Sequence, residues 1–144
     1  MKCQLVFRYD FSSDGDDFGW LAAQIDTPQF KAVNGTWVQW QDIEELTASL
    51  GRFPIEALEP VVGKWGFSED GRDTEVTKIV IKPQGIASAL SVHVLLANNY
   101  KPANLCSVQF VTDYPALAKF SGELRRMLQD RVGSAALDGW ADDS

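Results

Sequence analysis

The stretch Leu90-Ser91-Val92-His93-Val94-Leu95-Leu96, followed after a loop by Cys106-Ser107-Val108-Gln109-Phe110, decides the fold class. Leu90, Val92, Val94 and Leu96 fall on one side of a pleated strand, with Ser91, His93 and Leu95 on the other; Cys106, Val108 and Phe110 repeat the alternation. Just upstream, Thr77, Ile79 and Ile81 oppose Lys78 and Lys82 in a strand that stops at Pro83-Gln84-Gly85. Three alternating strands in succession predict an antiparallel meander with one buried face. The middle strand is expected to begin as early as Ile86.

Beyond the meander the period changes. Pro115 suits a first helical turn, and Leu117, Phe120, Leu124, Met127, Leu128 and Val132 recur at steps of three and four, which predicts a helix over about 115–131. Burying a large side chain is worth roughly 1.5–3 kcal/mol, so five of them contribute about 10 kcal/mol, comparable with the whole net stability of a domain. That helix must dock on the sheet. Residues 133–144 lose the period and are expected to form a flexible acidic C-terminal tail, with Trp140 as its one anchor, outside a single domain spanning residues 1–132.

Towards the N-terminus, Cys3, Leu5, Phe7 and Tyr9 alternate with Gln4, Val6 and Arg8 as a half-buried strand. An acidic loop from Asp10 to Asp17 leads to a partner strand, in which Leu21, Ala23 and Ile25 oppose Trp20, Ala22 and Gln24. Asn34-Gly35 tolerates positive φ, which predicts a tight turn between Phe30–Val33 and Thr36–Trp40. Ile43, Leu46, Ala48 and Leu50 predict a helix from about Gln41 to Leu50, with Asp42, Glu44 and Glu45 favourably near its N-terminus and Gly51 as its stop. Pro54 and Pro60 bracket a segment without a period; Val61–Phe67 is a further strand and Ser68–Asp73 a turn. The expected class is α+β: an antiparallel sheet of about six or seven strands, with two main helices packed on one face.

Composition bounds the function. The chain of 144 residues is 45% hydrophobic, with five Trp, three Tyr and eight Phe, which excludes a disordered polar chain. A net charge of −7 repels nucleic acid, whose binding requires Lys and Arg to displace counterions, and would steer a basic partner towards the protein. The apolar run at the N-terminus is too short for a signal peptide, and no stretch approaches the ~18 apolar residues of a membrane span, so a cytosolic location without membrane contact is expected.

Few chemistries have a place to sit. Asp10-x-Ser12-x-Asp14-Gly15 matches the opening of a calcium loop, but Leu21 stands where the bidentate carboxylate belongs. Gly63-Lys64 lacks the leading glycine of a phosphate loop and is followed by Trp65. Cys3 and Cys106 are too far apart in sequence for a redox or metal motif, and could pair only if their strands were neighbours. His93, the one histidine, should lie on the non-core face of its strand beside Ser107 or Gln109. No catalytic residue, metal or cofactor is expected. Trp37 and Trp40 cannot face the same side of a regular strand, so one of them should lie near the surface, where Trp beside carboxylates makes a binding hot spot. The candidate contact surface is Asp14, Asp16 and Asp17 with Glu69, Asp70 and Asp73, completed by the exposed tryptophan, taken as Trp40.

The early strand pair, the aromatic strand turning into a Leu-containing helix (Trp37-Val38-Gln39-Trp40-Gln41-Asp42-Ile43-Glu44-Glu45-Leu46), the strands up to Val111 and the helix start Thr112-Asp113-Tyr114-Pro115-Ala116-Leu117-Ala118-Lys119-Phe120 together resemble a family of small bacterial proteins, some of them WapI-type immunity proteins, antidotes to polymorphic toxins. The similarity spans roughly Lys2 to Leu128 and implies an α+β fold, no catalysis and a basic toxin domain as partner. It carries no residue-level motif, and Arg52 to Gly66 departs from the family pattern. The leading reading is therefore protein binding. A small-molecule site or minor enzyme with a pocket near His93 is the alternative, and a homodimer the third.

Overall fold

In the computed structural model, which describes residues 1–141 apart from 86, 87 and 132, eight strands and two helices follow one another. Ile86 and Val132, assigned above to a strand and to the closing helix, lie outside the described residues, as do Asp142, Asp143 and Ser144. The elements are β1 (Lys2–Phe11), β2 (Phe18–Asp26), β3 (Lys31–Gln39), α1 (Trp40–Ser49), β4 (Val61–Glu69), β5 (Arg72–Pro83), β6 (Leu90–Ala97), β7 (Leu105–Thr112), α2 (Tyr114–Asp130) and β8 (Ala135–Trp140). The strands form one sheet in the order β3-β2-β1-β8-β7-β6-β5-β4, antiparallel throughout. The class is α+β as expected, with eight strands where six or seven were read.

The meander is β5, β6 and β7, and its inward residues Ile79, Ile81, Val92, Val94 and Phe110 are fully or almost fully buried. Helix α2 begins at the Asp113 N-cap, whose carboxylate accepts from the Ala116 amide at 2.9 Å, and buries Leu117, Phe120, Leu124 and Met127. Phe7 of β1 meets Phe120 and Trp65 at ring-centroid distances of 5.8 and 6.1 Å, so β1, β4 and α2 converge on one aromatic nucleus. Both helices cover the same face of the sheet, and α1 touches α2 through the Ser121 hydroxyl, which donates to the Thr47 carbonyl.

Two expectations are corrected. Residues 135–140 are not a frayed tail: they form β8, a central strand paired with β1 over six residues from Lys2–Trp140 to Phe7–Ala135. Ala135 and Leu137 are fully buried, and Gly139 lies so close to Phe110 that a Cβ there would approach the ring to 2.5 Å. Alanine and glycine have weak strand propensity, so only burial between β1 and β7 makes this segment a strand.

Asn34-Gly35 is likewise not a turn but the middle of β3. The sheet curls until its edge strands β3 and β4 touch, and the inward Asn34 amide donates to the Val76 carbonyl (3.2 Å), the Thr77 hydroxyl (2.9 Å) and the Ala97 carbonyl (2.9 Å). Thr36 adds a bond to Asn99 at 3.0 Å. These bonds hold the curl where no ladder does.

Leu137→Ala is expected to cost about 2–5 kcal/mol in urea unfolding, as for a core leucine and not a tail residue. Asn34→Ala should cost about 1–3 kcal/mol by leaving buried acceptors unpaired; a change below ~0.5 kcal/mol would remove the amide from its role in the curl.

Candidate functional site

The outward face of β2 and β3 carries an aromatic surface built by register. Trp20 pairs with Trp37, and the next row sets Ala22 against Gly35. A Cβ on Gly35 would sit 2.3 Å from the Trp20 indole, so the missing side chain is what lets that ring lie across β3. Trp37 then packs edge-on against Trp20, with ring centroids 5.2 Å apart and planes at 73°. Trp37 remains 51% exposed and Phe18 41%, so the two contribute exposed aromatic area on the same outward face.

The β1–β2 loop stands at the end of this surface, and Asp10 of β1 pairs directly with Trp20. The loop is held by its own carboxylates. Asp16 accepts from the Phe18 amide at 3.0 Å, and the Asp17 carboxylate accepts from the Trp40 indole (3.3 Å) and the Gln41 amide (2.9 Å). The Asp17 carbonyl takes the Trp40 backbone N–H at 3.0 Å, so the loop caps a helix whose own N-cap residue, Gln39, makes no side-chain cap. Beneath it the Tyr9 hydroxyl donates to the Val38 carbonyl at 2.7 Å. Burial, followed by the charges of Asp42, Asp16 and Asp17, pushes the Tyr9 phenol up to about 12.

The structure brings Asp14, Asp16 and Asp17 together in one exposed loop. It does not bring the second acidic group to them. β1 and β4 run in opposite directions in the alternating sheet, so the β1–β2 loop leaves one end and the β4–β5 turn, with Glu69, Asp70 and Asp73, leaves the other. Asp70 (φ 52°) and Gly71 (φ 76°) make that turn, and its nearest neighbours across a cleft are Tyr100 and Pro102. Trp40 is also corrected: it is half-buried against the core and bonded to Asp17, whereas Trp37 is the exposed one of that pair. Trp20 and Phe18 were not among the expected contact residues, although the parity that sets Trp20 opposite Leu21 already put it on the outer side.

His93 lies exposed on β6, opposite Gln109, with Nε2 2.8 Å from the Ser107 hydroxyl. A recess of about 470 Å³ at the far end of β1 is lined by Phe30, Gln84, Ser91 and Gln109 among others; it reaches Gln109, the cross-strand partner of His93, but neither the imidazole nor Ser107. Cys3 and Cys106 form no disulfide with each other: they lie on β1 and β7, which β8 separates. Among the described residues no three His, Cys, Asp or Glu side chains gather as metal ligands, and no helix is long and apolar enough to cross a membrane. No known family, curated protein or solved structure matches this chain.

Gly35→Val should displace the Trp20 ring, altering the near-ultraviolet circular dichroism and costing about 1–3 kcal/mol. For Tyr9, a folded-state pKa above the unfolded value of about 10 means that the native state holds its proton longer, so stability is retained below pH 10 and falls as pH rises from about 10 to about 12. Unfolding midpoints between pH 9 and 12 should show this slope, and Tyr9→Phe should flatten it.

Proposed function

We propose that this chain is a non-enzymatic protein-binding domain acting in the cytosol, and that its contact surface is the outward face of β2–β3 with the β1–β2 loop. The observation that carries the reading is Trp37: half exposed, packed edge-on against a ring that Gly35 admits, on strands whose ends meet the acidic β1–β2 loop, where Asp16 holds Phe18 and Asp17 holds Trp40. A rigid aromatic pays little entropy on binding, and interface hot spots are enriched in tryptophan surrounded by polar groups.

The chemistry favours a basic partner presenting arginine or lysine. A guanidinium can stack on the Trp37 face while a carboxylate of the loop neutralises it, and the net charge of −7 accelerates the encounter. A bacterial toxin domain acting on nucleic acid is a partner of that kind, and the resemblance to WapI-type immunity proteins supports neutralisation of such a toxin as the biological role.

The test is a pull-down from the native host with the wild-type protein and with Trp37→Ala combined with Asp14→Lys. The partner retained by the wild type should be lost from the variant, with Trp37→Ala alone weakening it by about 2 kcal/mol or more, roughly 30-fold. Asp14→Lys alone should lower the association rate at low salt more than it raises dissociation. Equal retention of every bound protein by the variant would sink the reading.

A further inference from the structure

On β4–β6 the face turned away from the helices has the opposite character. Lys64 of β4 stands directly across from Lys78 of β5, which pairs in turn with Leu95 of β6. The next row sets Val62 against Val80 and His93, and Lys82 begins the row beyond. Val62 is 43% exposed, and the lysines surround it on the outer side.

Like charges directly opposite each other on a sheet are destabilising. Glu75 offsets Lys78 at 3.4 Å, but among the described residues Lys64 and Lys82 have no ion-pair partner. In a chain with 20 acidic and 13 basic residues, Lys64, Lys78 and Lys82 cluster around exposed Val62; Glu75 pairs with Lys78, and Asp42 and Glu45 of α1 line a recess with Val62 and Lys64, which leaves Lys82 as the cation furthest from a carboxylate among these rows.

We infer that the outer face of β4–β6 is a second interaction surface, which docks an acidic protein segment carrying apolar side chains. Carboxylates of the segment meet Lys64 and Lys82, and its apolar groups cover Val62, Val80 and Leu95. The choice of occupant follows from the range of the forces. A short acidic segment lies within one Debye length, about 8–10 Å, of the lysines and feels mainly them. An anionic membrane or a second copy of this chain instead brings an extended negative surface against the net charge of −7. The surface is independent of the aromatic one on β2–β3, so either can fail alone.

The experiment titrates the full chain into a fluorescein-labelled peptide of alternating glutamate and leucine, followed by anisotropy at low and raised salt. An all-glutamate peptide of equal length, phosphatidylserine vesicles and sedimentation of the protein alone complete it. Binding of the mixed peptide is expected to fall about tenfold or more with Lys64→Glu plus Lys82→Glu and to weaken with salt. Val62→Asp should weaken it too, Trp37→Ala should leave it unchanged, and the all-glutamate peptide should bind more weakly. Lys64 and Lys82 are exposed, so circular dichroism and the unfolding midpoint should remain those of the parent. The inference is overturned if the charge-reversed protein binds the mixed peptide as the parent does, or if both peptides bind equally. It is overturned also if the vesicles alone bind, or if the patch instead drives a self-association that the same substitutions abolish.

Discussion

The pairing of β8 with β1 joins what would otherwise be two sheets. β1, β2 and β3 form one antiparallel group and β4 to β7 another, and neither group contacts the other through a ladder except by way of β8. On the β1 side β8 makes six residue pairs, and on the β7 side the described ladder is the single pair Val111–Trp140. Side-chain bonds hold β8 from three sides, one of them across the weak β7 seam. The Thr112 hydroxyl donates to the Asp138 carbonyl at 2.7 Å, Gln4 donates to the Asp138 carboxylate at 2.7 Å, and Glu123 of α2 accepts from the Ala136 amide at 2.9 Å. Helix α2 thus sets the strand that follows it, and that strand sets the sheet.

Once joined, the sheet is long enough to curl. Edge strands are otherwise templates for pairing with other chains, and here β3 and β4 turn towards each other, with the Asn34 amide spanning the gap to β5 and β6. The curl points the core residues inward against α1 and α2 and leaves one continuous outer surface. Its β2–β3 part is aromatic and acidic, and its β4–β6 part is basic with exposed valine.

Much of the fold was legible because alternation is a local property. Cys3 to Tyr9, Thr77 to Ile81 and Leu90 to Leu96 show their faces residue by residue, and His93 lies beside Ser107 and Gln109 as its parity required. The helices were as plain, since Asp113, Pro115 and the Leu117–Met127 stripe act within a few turns. The site was less so. Acidic loops can be found by composition, yet whether two loops share a surface depends on strand direction and order, and Glu69, Asp70 and Asp73 prove to leave the other end of the sheet from Asp14, Asp16 and Asp17. Trp37 and Trp40 were seen to face different ways, but the capping of α1 by Asp17 determined which of them was taken inward.

The sequence by itself determined the period of each long element, the inward face of the well-patterned strands, the sign of the net charge and the lack of spaced catalytic or ligand motifs, because these follow from residues close in the chain. Tertiary structure alone decided that a small-residue segment becomes the central β8, that Asn34-Gly35 runs straight through a strand instead of turning, and which aromatics stay exposed. Each of these depends on a partner distant in sequence, Phe110 for Gly139, Trp20 for Gly35 and Val76, Thr77 and Ala97 for Asn34, and no local propensity encodes where such a partner will stand.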